Sequence, residues 1–431
     1  MIQKEVLDNG LRIVTEDIDY VQSASIGIWV GVGARDEEDQ LRGISHVIEH
    51  MLFKGTEKRN AQQIADEIDR VGGYINAFTD KEYTCYYAKV LSEYIPVAVD
   101  VLSDMFLNSV VNPEELGREK NVILEEIKRH EDQPDDLVHD VFFQTIWPQH
   151  VLGKPVIGTS QTVSSFERDH LLNYMHRRYT PDTIVVSAAG NLEHKKIVDM
   201  VAERFGKLSG KRSDWRAPDT QPTATVAQKT VSKPVEQVHV VMGVPGYSQT
   251  DDRRYKLSLM DTVLGGGMSS RLFQEIREKR GLAYSVGSYT ASYREGGLFA
   301  VYAGTSPTTA DEVIEIVKRE FDNVRTHNVT EDELLRAKNQ IRGGMVMAQE
   351  SMSNRMMRMG KNELVHDRII PIEEIMGKIQ AVTLDDLHDT AKAIFSTGYT
   401  LAQVGPFDEK DKAAAQMQAD ENEALEQEVL A

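Results

Sequence analysis

Asn112-Pro-Glu-Glu-Leu-Gly-Arg-Glu-Lys-Asn121 and Val329-Thr-Glu-Asp-Glu-Leu-Leu-Arg-Ala-Lys-Asn339 are two versions of one segment. Placing Asn121 on Asn339 gives a shift of 218, about half of the 431 residues. Other landmarks follow in the same order. A strand-like run ending in Gly31-Val-Gly33 recurs near Val240 to Gly246, and the alternating segment Tyr74 to Val90 recurs as Tyr284 to Ala303. Self-similarity at a fixed shift marks repeated structural units. The boundary lies between Gly210 and Val235, where Gly, Lys, Pro, Thr and Gln dominate without a helical period. The expected fold is α+β with two tandem homologous domains, each a mostly antiparallel sheet covered by helices. Their bounds are 1–212, a linker at 213–230, and 231–431 with an acidic tail from Asp408.

Composition narrows the function classes. Hydrophobic residues make up 41% and charged residues 27%, as in ordinary globular proteins. The net charge of -19 repels phosphate backbones, so nucleic acid is not an expected partner. One cysteine, Cys85, allows neither an internal disulfide nor a thiolate zinc site. No stretch approaches the roughly 18 apolar residues of a membrane span, and Met1 to Asp8 lacks the apolar core of a signal peptide. The expected location is the cytoplasm, a processed organellar form being the alternative.

The chemistry centres on His46-Val-Ile-Glu-His50. Around it Ile44, Val47, Ile48, Met51 and Leu52 recur at helical spacing and form a buried face. Residues four apart share one side of a helix, so His46 and His50 can hold one ion, and neutral imidazoles suit zinc. Glu49, beside them, is placed to take a proton from water activated by the metal. A third ligand is expected on the helical segment Pro113 to His130, capped by Asn112. There Glu119 and Glu126 lie seven apart on one face, so one can ligate while the other supports the site. Glu125 and Glu126 are adjacent, and spacing alone leaves the choice open. At the shift of 218, Glu119 and Glu126 fall on Ala337 and Gly344, and the second half has no His-x-x-Glu-His. One copy carries every metal-binding group.

The segment His46-x-x-Glu49-His50-Met-Leu-Phe-Lys-Gly-Thr56, with a helix glutamate 76 residues after His50, resembles the pitrilysin family of inverted zinc peptidases. That family includes the mitochondrial processing peptidases and their bacterial relatives, and the tandem layout extends the resemblance over essentially the whole chain. It implies zinc held by His46, His50 and Glu126, with Glu49 as the base and Glu119 orienting a ligand histidine. It implies that Asn76-Ala77-Phe78-Thr79 is an edge strand pairing with an extended peptide, as strand addition allows. In Arg277-Glu-Lys-Arg-Gly-Leu-Ala-Tyr284 it implies that Arg277 holds a substrate carbonyl and Tyr284 stabilises an oxyanion, with Arg280 a rival for Arg277. The implied activity is hydrolysis of short or unfolded peptides, by a homodimer or a heterodimer with a related chain. A non-catalytic assembly subunit of the same fold is the alternative.

Overall fold

The computed structural model describes residues 1–212 and 220–412. The chain forms two compact units. The first comprises Met1–Ile127, Lys154–Asp219 and Met345–Ile370, and the second Lys128–Gly153, Thr220–Gly344 and Pro371–Ala431.

The first unit is built on strands β1 (Ile2–Val6), β2 (Arg12–Asp17), β3 (Ser23–Val30), β4 (Tyr74–Thr79), β5 (Thr84–Leu91) and β6 (Ile184–Gly190). They form one sheet in the order β1-β2-β6-β3-β5-β4. Only β2 and β6 run parallel. The second unit has β7 (Gln228–Ser232), β8 (Val238–Gly246), β9 (Ala283–Ser292), β10 (Gly297–Thr305) and β11 (Thr400–Gly405), in the order β7-β11-β8-β10-β9. Its one parallel pair is β7 with β11. Dropping β1 makes the two orders and strand directions identical, as two copies of one unit require.

Five helices bear on the site and its support. They are α1 (Ile44–Leu52), α2 (Pro113–Asp132), α3 (Pro134–Ile146), α4 (Glu331–Ala348) and α5 (Met352–His366). The shift of 218 carries the start of α2 onto α4 and the start of α3 onto α5. In the first unit, Ala24, Ile26, Ile28 and Val30 of β3 share one large core with Val47, Ile48 and Met51 of α1. The alternate residue Trp29 points to the opposite face, where it packs with Val14, Cys85, Val185 and Ala189 under Met356 and Met359 of α5. Period-two alternation thus serves two cores with one sheet. The Trp29 indole N–H donates to the Ser187 hydroxyl at 2.9 Å, and that hydroxyl donates to the Met356 carbonyl at 3.0 Å. A Cβ on Gly360 would collide with the same indole, so the helix lies close against it. In the second unit the equivalent face is covered by α3, with Val138, Val141, Phe142 and Ile146 on Val241, Leu298, Ala300, Ala402 and Val404. There the bulk is on the helix: a Cβ on Gly243 would stand 2.6 Å from Phe142 Cζ.

The two units are therefore not the contiguous stretches 1–212 and 231–431 expected from the repeat. Residues 128–153, with α3, belong to the second unit, and residues 345–370, with α5, to the first. The expected linker also gives way at its end. Strand β7 starts at Gln228, inside 213–230, because Gln228–Ser232 finds a parallel partner in Leu401–Gly405. Residues 213–219 of the linker, and the acidic tail beyond Lys412, lie outside the described residues. Among the described residues no helix is long and apolar enough to cross a membrane.

Candidate metal centre

Helix α1 presents two faces. Ile44, Val47, Ile48, Met51 and Leu52 are buried, which leaves His46, Glu49 and His50 on the other side. Helix α2 is capped by Asn112, whose side chain accepts the Glu114 N–H at 2.8 Å. It buries Leu116, Glu119, Ile123 and Ile127 along one stripe. Glu126 borders that stripe, while Glu125 is exposed.

Glu126 Oε2 lies 3.8 Å from His46 Nε2 and 3.7 Å from His50 Nε2. One atom from each of the three residues falls within 4.8 Å of the others. A tetrahedral zinc with bonds of about 2.0–2.2 Å spaces its ligand atoms roughly 3.4 Å apart. The two carboxylate–imidazole separations need only a small contraction, so the trio fits such an ion. The donor chemistry fits as well. Burial, helped by the neighbouring His50, pulls the His46 imidazole down to about 3, which keeps it neutral with a free lone pair.

Around the trio, His50 Nδ1 is 3.1 Å from Glu119 Oε2, and Glu119 Oε1 is 2.7 Å from Lys54 Nζ. A histidine that ligates a metal usually donates its second ring N–H to such a partner. His46 Nδ1 differs: it is buried without a hydrogen-bond partner among the described residues. Glu49 Oε2 accepts the Thr79 hydroxyl at 2.5 Å. Burial raises the Glu49 carboxyl above its ordinary range, against the pull of that hydroxyl and of His50.

Thr79 ends β4, which pairs with β5 alone and forms the edge of the sheet. Ala77 packs toward the α1 side of the sheet and Phe78 toward the α5 side, in edge contact with Trp29 at 5.8 Å. Asn76 donates to the Tyr74 hydroxyl at 2.6 Å. Thr79 thus touches Glu49 as well as forming the strand, a link that sequence spacing did not reveal. Lys54 was equally missed, although it stands in the quoted motif.

Glu37 is a further residue that the sequence reading passed over. Its Oε2 accepts the Gly43 N–H at 2.8 Å and its Oε1 accepts the Ser45 N–H at 2.9 Å. Burial pushes its carboxyl up to about 7, opposed by those donors and by Arg42. A signal was available in Arg35-Asp36-Glu37, three charged residues before a glycine-started helix, but charge alone reads as solvent-facing.

Arg277 and Tyr284 belong to the second unit. Arg277 sits in a π-helical turn, Phe273–Glu278, and Tyr284 near the start of β9, at the sheet edge. The Arg277 guanidinium lies 4.5 Å from the centre of the Tyr284 ring and donates to the Tyr284 carbonyl at 3.0 Å. The Tyr284 side of the pair is open, with 80% of the residue exposed. Arg280 instead donates to Glu275, at 2.6 Å to its carboxylate.

Comparison with known proteins gives the lineage. Residues 12–160 match the family model described as Insulinase (Peptidase family M16), and residues 165–341 match Peptidase M16 inactive domain. A zinc protease of Streptomyces coelicolor, named as uncharacterized, is 43% identical over 426 residues, covering 96% of this chain and 92% of its own. This chain belongs to peptidase family M16. Within M16, an uncharacterized zinc protease of Bacillus subtilis is 42% identical and covers 94% of this chain and 98% of its own. The M16 fold recurs in a protease from Helicobacter pylori, with a TM-score of 0.87 at 21% identity, covering 94% of this chain and 99% of the other. It recurs in a chain of complex III2 from Candida albicans, with a TM-score of 0.83 at 18% identity over 96% and 100% of the two chains. At such identities these structures speak for the fold alone.

Proposed function

We propose that this M16 chain is a zinc metalloendopeptidase that hydrolyses short or unfolded peptides, with Glu49 as general base. The observation that supports it most is the convergence of two imidazole nitrogens and the Glu126 carboxylate beside Glu49, on the side of α1 turned away from the core. His46, His50 and Glu126 would hold the zinc. When bound, zinc supplies a Lewis acid that polarises a carbonyl and acidifies water.

The chain's own residues do the rest. Glu49 takes the proton of the attacking water and hands it to the leaving amine. Its raised affinity for protons suits a group that must both accept and return one. Thr79 fixes the carboxylate through its hydroxyl, and Glu119 holds the ring of His50. The free edge of β4, at Asn76–Thr79, offers main-chain hydrogen bonds to an extended peptide. From the second unit, Arg277 would hold a substrate carbonyl and Tyr284 would donate to the developing oxyanion. We assign the working form to a homodimer or a heterodimer with a related chain.

A second reading, a non-catalytic subunit of the same fold, draws on the likeness to the complex III2 chain. Zinc content and hydrolysis of a quenched-fluorescent peptide, for the wild type and Glu49→Gln together, separate the two. The peptidase reading expects about one zinc per chain in both proteins and cleavage in the wild type only. Turnover preserved in Glu49→Gln removes the base assignment, and zinc without cleavage in either protein favours the subunit.

A further inference from the structure

Helix α1 starts without a capping side chain of its own. Its first residues follow Gly43, which adopts φ of 90° and makes no side-chain cap bond. A side chain at 43 would meet the Ile157 carbonyl at 2.7 Å, so the position excludes the Ser, Thr, Asp or Asn that normally caps a helix. The first N–H groups of a helix have no internal partner. Here Glu37, six residues back, takes two N–H groups at this end, those of Gly43 and Ser45. Ser45 directly precedes His46.

The turn that carries Glu37 is itself anchored by its neighbours. Arg35, Asp36 and Glu37 are 2%, 2% and 1% exposed. Arg35 pairs with Glu82 at 2.6 Å, and Asp36 pairs with Arg212. The same turn binds the loop after β4, since the N–H groups of Ala34 and Arg35 donate to the carbonyls of Asp80 and Lys81. That loop follows Thr79, the partner of Glu49. Three buried charged residues in a row are rare unless each has a partner, and their turn joins the start of α1 to the loop that follows Thr79.

We propose that Glu37 is a positioning residue for the zinc ligands, fixing His46 and His50 by bonding the N-terminal N–H groups of their helix. This rests on the zinc reading above. Glutamine at 37 keeps the size but offers one acceptor, and turns an N–H toward the other donor. Groups that orient metal ligands at one remove typically change metal affinity 10–100-fold when lost.

The test uses the full chain as wild type, Glu37→Gln, Glu37→Asp and Glu363→Gln. Glu363 is a buried carboxylate of α5 that pairs with Lys4 at 2.6 Å and serves as the control for general destabilisation. Zinc affinity is read by competition with a chromophoric chelator, thermal midpoints on metal-free protein, and amide exchange at Gly43 and Ser45 without metal. Glu37→Gln is expected to bind zinc about 10–100-fold more weakly and to exchange faster at those two amides. Glu363→Gln is expected to melt earlier with unchanged zinc affinity. A folded Glu37→Gln with zinc affinity within about twofold of wild type overturns the proposal, as does an equal loss in Glu363→Gln. Should Glu37→Gln not fold, Glu37→Asp, which keeps the carboxylate on a shorter arm, replaces it: an intermediate loss supports the role and wild-type affinity overturns it. Wild type that binds no zinc removes the metal reading, and this role with it; zinc-binding wild type beside an unaffected variant removes Glu37 alone.

Discussion

The two oxygens of Glu119 are divided between His50 and Lys54. Lys54 holds the carboxylate in place at 2.7 Å, and the carboxylate stands as the acceptor beside His50 Nδ1, leaving Nε2 to face Glu126. Replacing Glu119 by Gln should weaken zinc binding about 10–100-fold while leaving the fold intact, measured by chelator competition beside a melting curve. Thr79 bears on the proposed base, Glu49, through its hydroxyl. Thr79→Val removes one hydrogen bond to a carboxylate, about 1.5–3 kcal/mol, and should lower kcat/KM by roughly 10–100-fold with zinc content unchanged. Asp261 of the second unit offers a residue-level test of pH dependence. Burial raises its carboxyl from 3.8 to about 6, although Ser288 donates to it at 2.5 Å. Between about pH 4 and 6 the folded chain therefore binds a proton that the unfolded chain has released. Stability from this group is greatest at the acid end and falls as pH rises through 6, by at most about 3 kcal/mol. Urea unfolding at pH 4 and pH 7 should show that drop in the wild type relative to Asp261→Asn; a constant difference between the two proteins would contradict it.

At the level of elements, α3 and α5 sit at equivalent places in the repeat yet carry their bulk differently. At the shift of 218, Phe142 of α3 corresponds to Gly360 of α5. Phe142 meets Gly243, and Gly360 meets Trp29, so each helix suits its own sheet. Gly360→Leu should drive the helix off the indole and cost about 3 kcal/mol, within the range for overpacking a core, read from a denaturation midpoint. The pattern explains what the sequence did and did not reveal. Helix α1 and its polar face were legible because one buried stripe and one polar stripe alternate at 3.6 residues. The paired strands were legible from alternation, and the doubling from the repeat. The exchange of α3 and α5 was hidden, because an apolar stripe announces that a helix must be covered and not which sheet covers it. Glu37 and the Thr79–Glu49 bond were hidden for a related reason. Both join residues whose proximity is created by folding, Glu37 from a turn outside the helix and Thr79 from a strand 30 residues away.

On the scale of the molecule, each unit is completed by a helix from the other half of the sequence. A fragment of residues 1–212 lacks α5 and leaves Trp29, Val14, Val185 and Ala189 without their cover. It should be insoluble or loosely packed when expressed alone, and recover ordered structure when produced together with residues 213–431. Soluble, cooperatively melting 1–212 on its own would show that the exchanged helix is dispensable. His46, His50 and Glu126 all belong to the first unit, so under the proposed function recovery of zinc binding should also require both fragments.

The exchange also sets an order in time. A ribosome delivers the chain from its N-terminus, and domains ordinarily fold as they emerge. Here the sheet that packs with α1 has all six strands by Gly190, but its other face waits for Met352–His366. Well over a hundred residues must be synthesised in between. During that interval Trp29 and its neighbours stay wet, and the long-range closure is slow by the usual relation between contact distance and rate. The nascent first unit is thus a natural client for a chaperone, and the candidate metal centre matures only after Met352–His366 has been made.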